Sequence, residues 1–230
     1  SNFYLNLAKY LNEDFNSYDT LLAENFYNTE NLKESKKIYN DLSKKGKAFH
    51  WYASKQLSRI YIQDNNKKDA LKLLSNAYNN LSNKDIYETF DYAEFLKNNE
   101  KFKESIPYYT KIINRVEKSH PLYIEATDGR GVAYERIGKW DKAEEDLLSS
   151  LEVDPDQAYV INYLAYSWIE KGINIQKSLE MLEKANRLRS NDPYITDSLG
   201  WALFKLERYK ESKNYLQLAV KLMPGDPIVN

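Results

Sequence analysis

Apolar residues recur at three- and four-residue intervals along almost the whole chain, in stretches of several helical turns separated by short polar breaks. From Pro193 onward the large apolar positions include Leu199, Leu203, Tyr209 and Leu216, with small residues at Gly200, Ser212 and Ala219. Asp226-Pro227 then repeats Asp192-Pro193, 34 residues on. Traced backward, the same template starts near Asn16, Trp51, Ile86, Ile124, Ala158 and Pro193. A period of this size marks an array of helical hairpins, because one hairpin cannot bury its apolar face alone.

The pattern predicts repeats near 16–50, 51–85, 86–123, 124–157, 158–192 and 193–226. The third is lengthened around Asn114 to Tyr123, and the fifth has one extra residue near Ile173-Asn174. Residues 3–15 fit the second helix of an earlier repeat, and 227–230 the start of a further one. The chain thus reads as a single solenoid domain over 1–230, excerpted from a longer array, with Ser1-Asn2 read as a cloning remnant.

Two positions in each repeat carry the steric argument. The eighth holds Ala23, Ser58, Ala93, Gly131, Ala165 and Gly200; the twentieth, or its equivalent, holds Ser35, Ala70, Ser105, Ala143, Ser178 and Ser212. All twelve are Gly, Ala or Ser. Two antiparallel helices approach closely where the facing side chains are small and large neighbours fill the flanking grooves. Those neighbours are Phe26, Tyr61, Leu96, Tyr134, Trp168 and Leu203 at the eleventh position. Tyr39, Leu74, Tyr109, Leu147, Leu182 and Leu216 supply them near the twenty-fourth. Turn signals fall within the hairpins at Asn98-Asn99, Ile137-Gly138 and Lys171-Gly172, and between repeats at Asp154-Pro155 and Asp192-Pro193, where proline suits a helix start.

Leu199-Gly200, Tyr209, Ser212, Ala219 and Pro224 resemble the tetratricopeptide repeat pattern, as do Gly131, Tyr134, Trp140, Ala143 and Pro155. The first three repeats diverge more, having Lys47, Ser82 and Glu117 where the family has proline. The runs Asn162 to Trp168 and Asp197 to Trp201 are similar to a group of bacterial multi-repeat proteins. The resemblance implies an all-α, right-handed α-solenoid, a superhelix of tetratricopeptide helix-turn-helix repeats. It also implies a scaffold that binds proteins and is not an enzyme.

Composition narrows the partner. The net charge is −1, which argues against a general nucleic-acid binder, since that needs a basic face. No stretch reaches the roughly 20 apolar residues of a membrane span, so no direct membrane insertion is expected. Without cysteine there are no disulfides and no thiolate metal sites, and the compartment stays undecided between cytoplasm and periplasm. Tyrosine is abundant, at 20 of 230 residues, and by itself scatters aromatic rings widely.

Little in the chain suggests chemistry. His50, read as preceding the first helix of the second repeat, and His120, in the long connection before Pro121, stand 70 positions apart; no metal site and no cofactor are expected. Glu144-Glu145-Asp146 and the Asp154/Asp156 pair read as a solvated helix face and inter-repeat turns. Gly129-Arg130-Gly131 reads as packing, and Trp140 and Trp168 as core.

The resemblance also implies which residues face a partner: the second, fifth, ninth and twelfth positions of each first helix. The resulting groove comprises Tyr52, Lys55 and Arg59 in the second repeat, and Tyr87, Phe90 and Glu94 in the third, with Asp91 beside them. Asp128 and Glu135 follow in the fourth, Tyr159, Asn162 and Tyr166 in the fifth, and Tyr194, Asp197 and Trp201 in the sixth. The family's clamp for a C-terminal carboxylate is not assembled, because Asp91 stands where an Asn is needed. An acidic, aromatic groove is expected to take a protein or peptide with basic residues beside apolar or aromatic ones. The other reading is a recruiting or regulatory arm of a larger enzyme or envelope assembly. End-to-end self-association through Tyr215, Leu218 and Leu222 is a further expectation.

Overall fold

The computed structural model describes residues 2–11 and 16–227 and contains thirteen α-helices, with no strand among the described residues. They are α1 (Asn2–Leu11), α2 (Ser17–Asn28), α3 (Leu32–Leu42), α4 (Lys47–Gln63), α5 (Lys67–Asn79), α6 (Ile86–Asn98) and α7 (Phe102–Ile113). Then come α8 (Pro121–Arg136), α9 (Trp140–Val153), α10 (Ala158–Glu170), α11 (Ile175–Leu188), α12 (Pro193–Lys205) and α13 (Tyr209–Leu222). The fold is the all-α tetratricopeptide solenoid type. The chain divides into two compact units, Ser1–Tyr108 and Tyr109–Asn230. In the first, α2 packs on α3 and α4 on α5; in the second, α8 packs on α9, α10 on α11 and α12 on α13.

The small positions form the hairpin seams. All twelve are buried. Ser35 Oγ donates to the Ala23 carbonyl at 2.9 Å, and Ser58 Oγ to the Ala70 carbonyl at 3.2 Å, so a hydroxyl ties the two small positions together. A Cβ added to Gly200 would lie 2.8 Å from the Leu216 side chain, and one on Gly131 would lie 3.2 Å from Leu147. Gly129 has its own reason to be glycine: the Tyr109 ring sits 2.6 Å from where its Cβ would be.

Every hairpin turn closes in the same way. The fifteenth residue of each repeat is left-handed: Glu30, Asn65, Glu100, Gly138, Gly172 and Glu207, with φ between 58° and 75°. The next N–H, on Asn31, Asn66, Lys101, Lys139, Ile173 or Arg208, donates back to the carbonyl of the eleventh residue at 2.8–2.9 Å. This is the Schellman closure, which satisfies carbonyls that the helix end would leave bare. Glycine adopts the left-handed region freely, whereas three of the six turns use glutamate there.

Each unit has its own core. In the first, Tyr39, Leu42, Leu57 and Ile60 form one cluster, and Trp51, Leu74, Tyr78, Tyr92 and Leu96 another. Many tyrosines are therefore structural. Tyr78 and Tyr92 stack at 4.4 Å, and the buried Tyr39 hydroxyl donates to Glu24 at 3.0 Å; burial, then Tyr52 and Glu24, raise its pKa well above the ordinary phenol value. In the second unit, Leu147, Leu164 and Trp168 pack with Trp140, and Leu179, Leu182, Leu199 and Leu203 form the next cluster.

Four expectations need correction. His50 lies inside α4, not before it, with Nδ1 3.1 Å from the Ser43 carbonyl. Of Glu144-Glu145-Asp146 only Glu145 is solvated. Asp146 is buried in a two-pronged ion pair with Arg130 at 2.7 and 2.8 Å, and Glu144 accepts from Trp168 Nε1. Pro155 sits in the turn before α10, not at its start, whereas Pro193 does open α12 behind the capping Asp192. Ile169, at a twelfth position expected to face outward, is buried at 1% exposure against the α11–α12 cluster. Leu218 and Leu222 are exposed, while Tyr215 packs on the core. Residues 12–15 and 228–230, part of the predicted terminal half-repeats, lie outside the described residues.

Candidate functional site

The residues singled out on the first helices fall into two electrostatic classes. In the first unit the charges pair among themselves. Lys55 bonds to Asp91, Glu94 accepts from Lys97 at 2.6 Å, and Arg59 reaches both oxygens of Glu24 at 3.0 and 3.1 Å while lying 3.8 Å above the Tyr27 ring. Tyr52 is half-buried edge-on to Tyr39, Phe90 is half-buried, and Tyr87 is exposed at 59%.

In the second unit some of these groups hold one repeat to the next. Tyr159 donates to Asp192 at 2.9 Å, and Tyr194 to Asp226 at 3.2 Å, the same contact one repeat later. Asp192 also caps α12 by accepting from the N–H groups of Tyr194 and Ile195. The bond to Asp192 raises the Tyr159 pKa; burial and then Asp226 raise that of Tyr194. Glu135 accepts from Tyr163 at 2.9 Å, and burial followed by that bond raises the Tyr163 pKa. Asp128 and Tyr159 line a cleft of ≈ 620 Å³ with Arg189, whose guanidinium lies 4.7 Å over the Tyr159 ring.

The other groups meet between α10 and α12. Tyr166, exposed at 40%, borders a cleft of ≈ 290 Å³ with Glu135 and Glu170. Trp201 Nε1 donates to Glu170 at 2.7 Å, and the Trp201 ring stacks on exposed Phe204 at 5.3 Å. Asp197 lies one turn before Trp201 on the same face of α12, half-buried, and among the described residues it has no ion pair or hydrogen bond. Its pKa is raised, and burial is the cause. The Tyr166 pKa is raised first by burial and then by Glu170 and Asp197. On α10, Asn162 lies one turn before Tyr166, with a buried Oδ1 that has no hydrogen-bond partner. Asp197 and Asn162 were both picked out by position in the repeat. Glu170 was missed: it lies at the thirteenth position, one residue outside the outward-facing set.

Among the described residues no group of three or more His, Asp or Glu is arranged to hold a metal ion, and no helix is long and apolar enough to cross a membrane.

Comparison with known proteins places this arrangement. The chain is 26% identical over 136 residues to a TPR repeat-containing protein of Pseudomonas aeruginosa, an alignment covering 59% of this chain and 22% of that protein. It therefore spans about a fifth of that relative's length. Among solved structures, a Podosopora anserina protein of nearly identical TPR-like repeats matches with TM-score 0.60 at 17% identity, over 75% of this chain and 94% of that one. A thermophilic TPR protein of Thermus thermophilus matches with TM-score 0.59 at 16% identity, over 76% and 93%. At such identities the likeness concerns the fold alone. A family model described as tetratricopeptide repeat matches residues 9–230, nearly the whole sequence, and the chain belongs to that family.

Proposed function

We propose that the protein is an interaction scaffold whose first helices present a peptide- or protein-binding face, and that it is not itself an enzyme. The repeats and their relatives support a protein-interaction role in general terms. The observation that carries the specific reading is the exposed rings that each unit carries on its first helices: Tyr87 in the first unit, and Tyr159, Tyr166, Tyr194 and Phe204 in the second. Large rings on a rigid helix face supply contact area at little entropic cost, and aromatic residues are enriched in binding hot spots. The acids among them favour a basic partner and speed its encounter. A peptide array probed with the parent chain and with Tyr87→Ala/Tyr166→Ala tests this. Ligands should be enriched in Lys or Arg beside apolar residues and should weaken with the double variant. Acidic ligands, or ligands indifferent to those rings, would move the binding surface elsewhere.

The second reading, a recruiting arm of a larger enzyme or assembly, is supported by one fact: the alignment covers only 22% of the Pseudomonas relative. Such an arm would use the same face.

A further inference from the structure

The cations of the first unit fall into two groups. On the first helices Lys55 is bound to Asp91, Lys97 to Glu94 and Arg59 to Glu24. On the second helices a different set recurs with the repeat. The eighteenth position holds Lys33, Lys68 and Lys103, and the twenty-second holds Lys37 and Lys72. All five are exposed, and among the described residues none has an ion pair, a hydrogen bond or a ring contact. Beside them stand Glu34, Asp69 and Glu104; Asp69 already accepts from Asn66 at 2.7 Å, and Glu104 lies 3.9 Å from Lys101. The same two positions of the fourth repeat, in the second unit, are Asp141 and Glu145, so the helical framework does not require lysine there.

These lysines border a concave feature. A cleft of ≈ 580 Å³ between the start of α5 and the turn before α7 is lined by Lys67, Lys68, Leu71, Asn99, Glu100 and Lys101. Three lysines thus share it with one carboxylate, and Glu100 already accepts from Lys67 at 3.1 Å. Leu71, packed on the Trp51–Tyr78 cluster, gives the cleft an apolar wall. We infer that the second helices of the first unit form a docking surface for an acidic segment of a protein partner, with one of its carboxylates taken into this cleft by Lys68 and Lys101. Cations that recur from one repeat to the next suit a ligand carrying several acids along its length. Among the described residues, α3, α5 and α7 expose no large apolar side chain. A single-stranded nucleic acid needs rings on which its bases stack, and a membrane surface needs apolar side chains that enter it. An acidic peptide needs neither, and the charge-assisted bonds from lysine suffice for it. The surface uses none of the residues of the first-helix face, so neither reading depends on the other.

The test measures, by fluorescence anisotropy with the whole chain, two pools of nine-residue peptides whose central residues are glutamates or their neutral isosteres, glutamines. At low salt the glutamate pool should bind about fivefold more tightly, the size of two exposed ion pairs. The preference should vanish near 1 M salt, where the Debye length is roughly 3 Å. Lys68→Gln/Lys101→Gln should remove most of the preference. Lys210→Gln/Lys213→Gln, at exposed lysines of α13, takes away the same charge and should keep it. Both variants should melt with the parent chain, since none of the four side chains is buried. Tyr87→Ala/Tyr166→Ala, which probes the first-helix face, should leave the preference unchanged. Equal binding of the two pools overturns the surface. So does a preference that survives Lys68→Gln/Lys101→Gln, that falls equally in the α13 control, or that is lost with the two tyrosines. Tighter binding of a single-stranded oligonucleotide or of phosphatidylserine vesicles than of the glutamate pool also overturns it, by giving these lysines a different partner.

Discussion

The seam inside the hairpins and the outward face of the first helices share the same helices but obey different rules. At the seam, six repeats make the same choices: a small residue on each helix, a large one beside it, a left-handed fifteenth residue and the same return hydrogen bond. On the face the fifth position varies along the chain, although tyrosine holds the second position four times, at Tyr52, Tyr87, Tyr159 and Tyr194. Lys55 is followed at the same position by Phe90, Asp128, Asn162 and Asp197. Interhelical distance constrains the seam, since a methyl group too many meets a neighbour at less than contact distance. No such neighbour constrains the outward face. Stability is therefore repeated along the chain, while the face is free to differ from repeat to repeat.

The largest expected effect sharpens the seam side of this contrast. Arg130 and Asp146 sit opposite each other within the fourth hairpin, exposed at only 18% and 7%. Removing one partner leaves the other charge buried and uncompensated. Asp146→Ala should cost about 3–5 kcal/mol in urea unfolding, and a double-mutant cycle with Arg130→Met should recover much of it. A cost below about 1 kcal/mol would mean that water reaches this pair and that the seam is looser than its geometry indicates.

Overpacking comes next. Gly200→Leu and Ala143→Leu each insert a large side chain where another helix already lies, at a cost of about 1–3 kcal/mol by thermal unfolding. With the Leu216 side chain 2.8 Å from an added Cβ, Gly200→Leu should be the worse of the two.

The overpacking effects follow features the sequence displays openly. The twelve small positions and the large residues beside them were legible because steric exclusion leaves few residue types allowed, six times over. The left-handed turns were half legible. Gly138 and Gly172 announce them, whereas Glu30, Glu100 and Glu207 do not, because hydrogen bonding and packing impose a conformation that glutamate disfavours. The Arg130–Asp146 pair was hidden because an acid in a charged run looks solvated until the opposite helix is in place. On the face, position within the repeat singled out Tyr166, Asp197 and Trp201 as candidates. It did not show which acids already had partners, since that depends on how long side chains reach across repeats, as Lys55 reaches Asp91.

The turns provide a smaller, opposite-signed test. Glu207→Gly should stabilise by about 0.5–1 kcal/mol, the relief of the left-handed strain outweighing the extra freedom of the unfolded chain. Gly172→Ala should destabilise by a similar amount. If both changes lower the melting temperature, the Glu207 side chain contributes something its conformation does not reveal.

The smallest effect on stability is expected on the face, and it separates the two kinds of acid. Lys55 and Asp91 are each about one-third exposed, so their pair sits in a screened environment and is worth at most about 1 kcal/mol. Asp91→Asn should lower stability by no more than that. It should also release Lys55, whose positive charge then works against a basic ligand on the first unit. Asp197→Asn has no partner to release and removes a partly desolvated charge, so the melting temperature should hold or rise. Ligand binding should order them the other way. Asp197→Asn should weaken binding of a basic peptide more than Asp91→Asn does, although both remove one negative charge. If the two variants weaken it equally, attraction follows the summed charge of the protein, and pairing within the protein does not decide where a partner's cation lands.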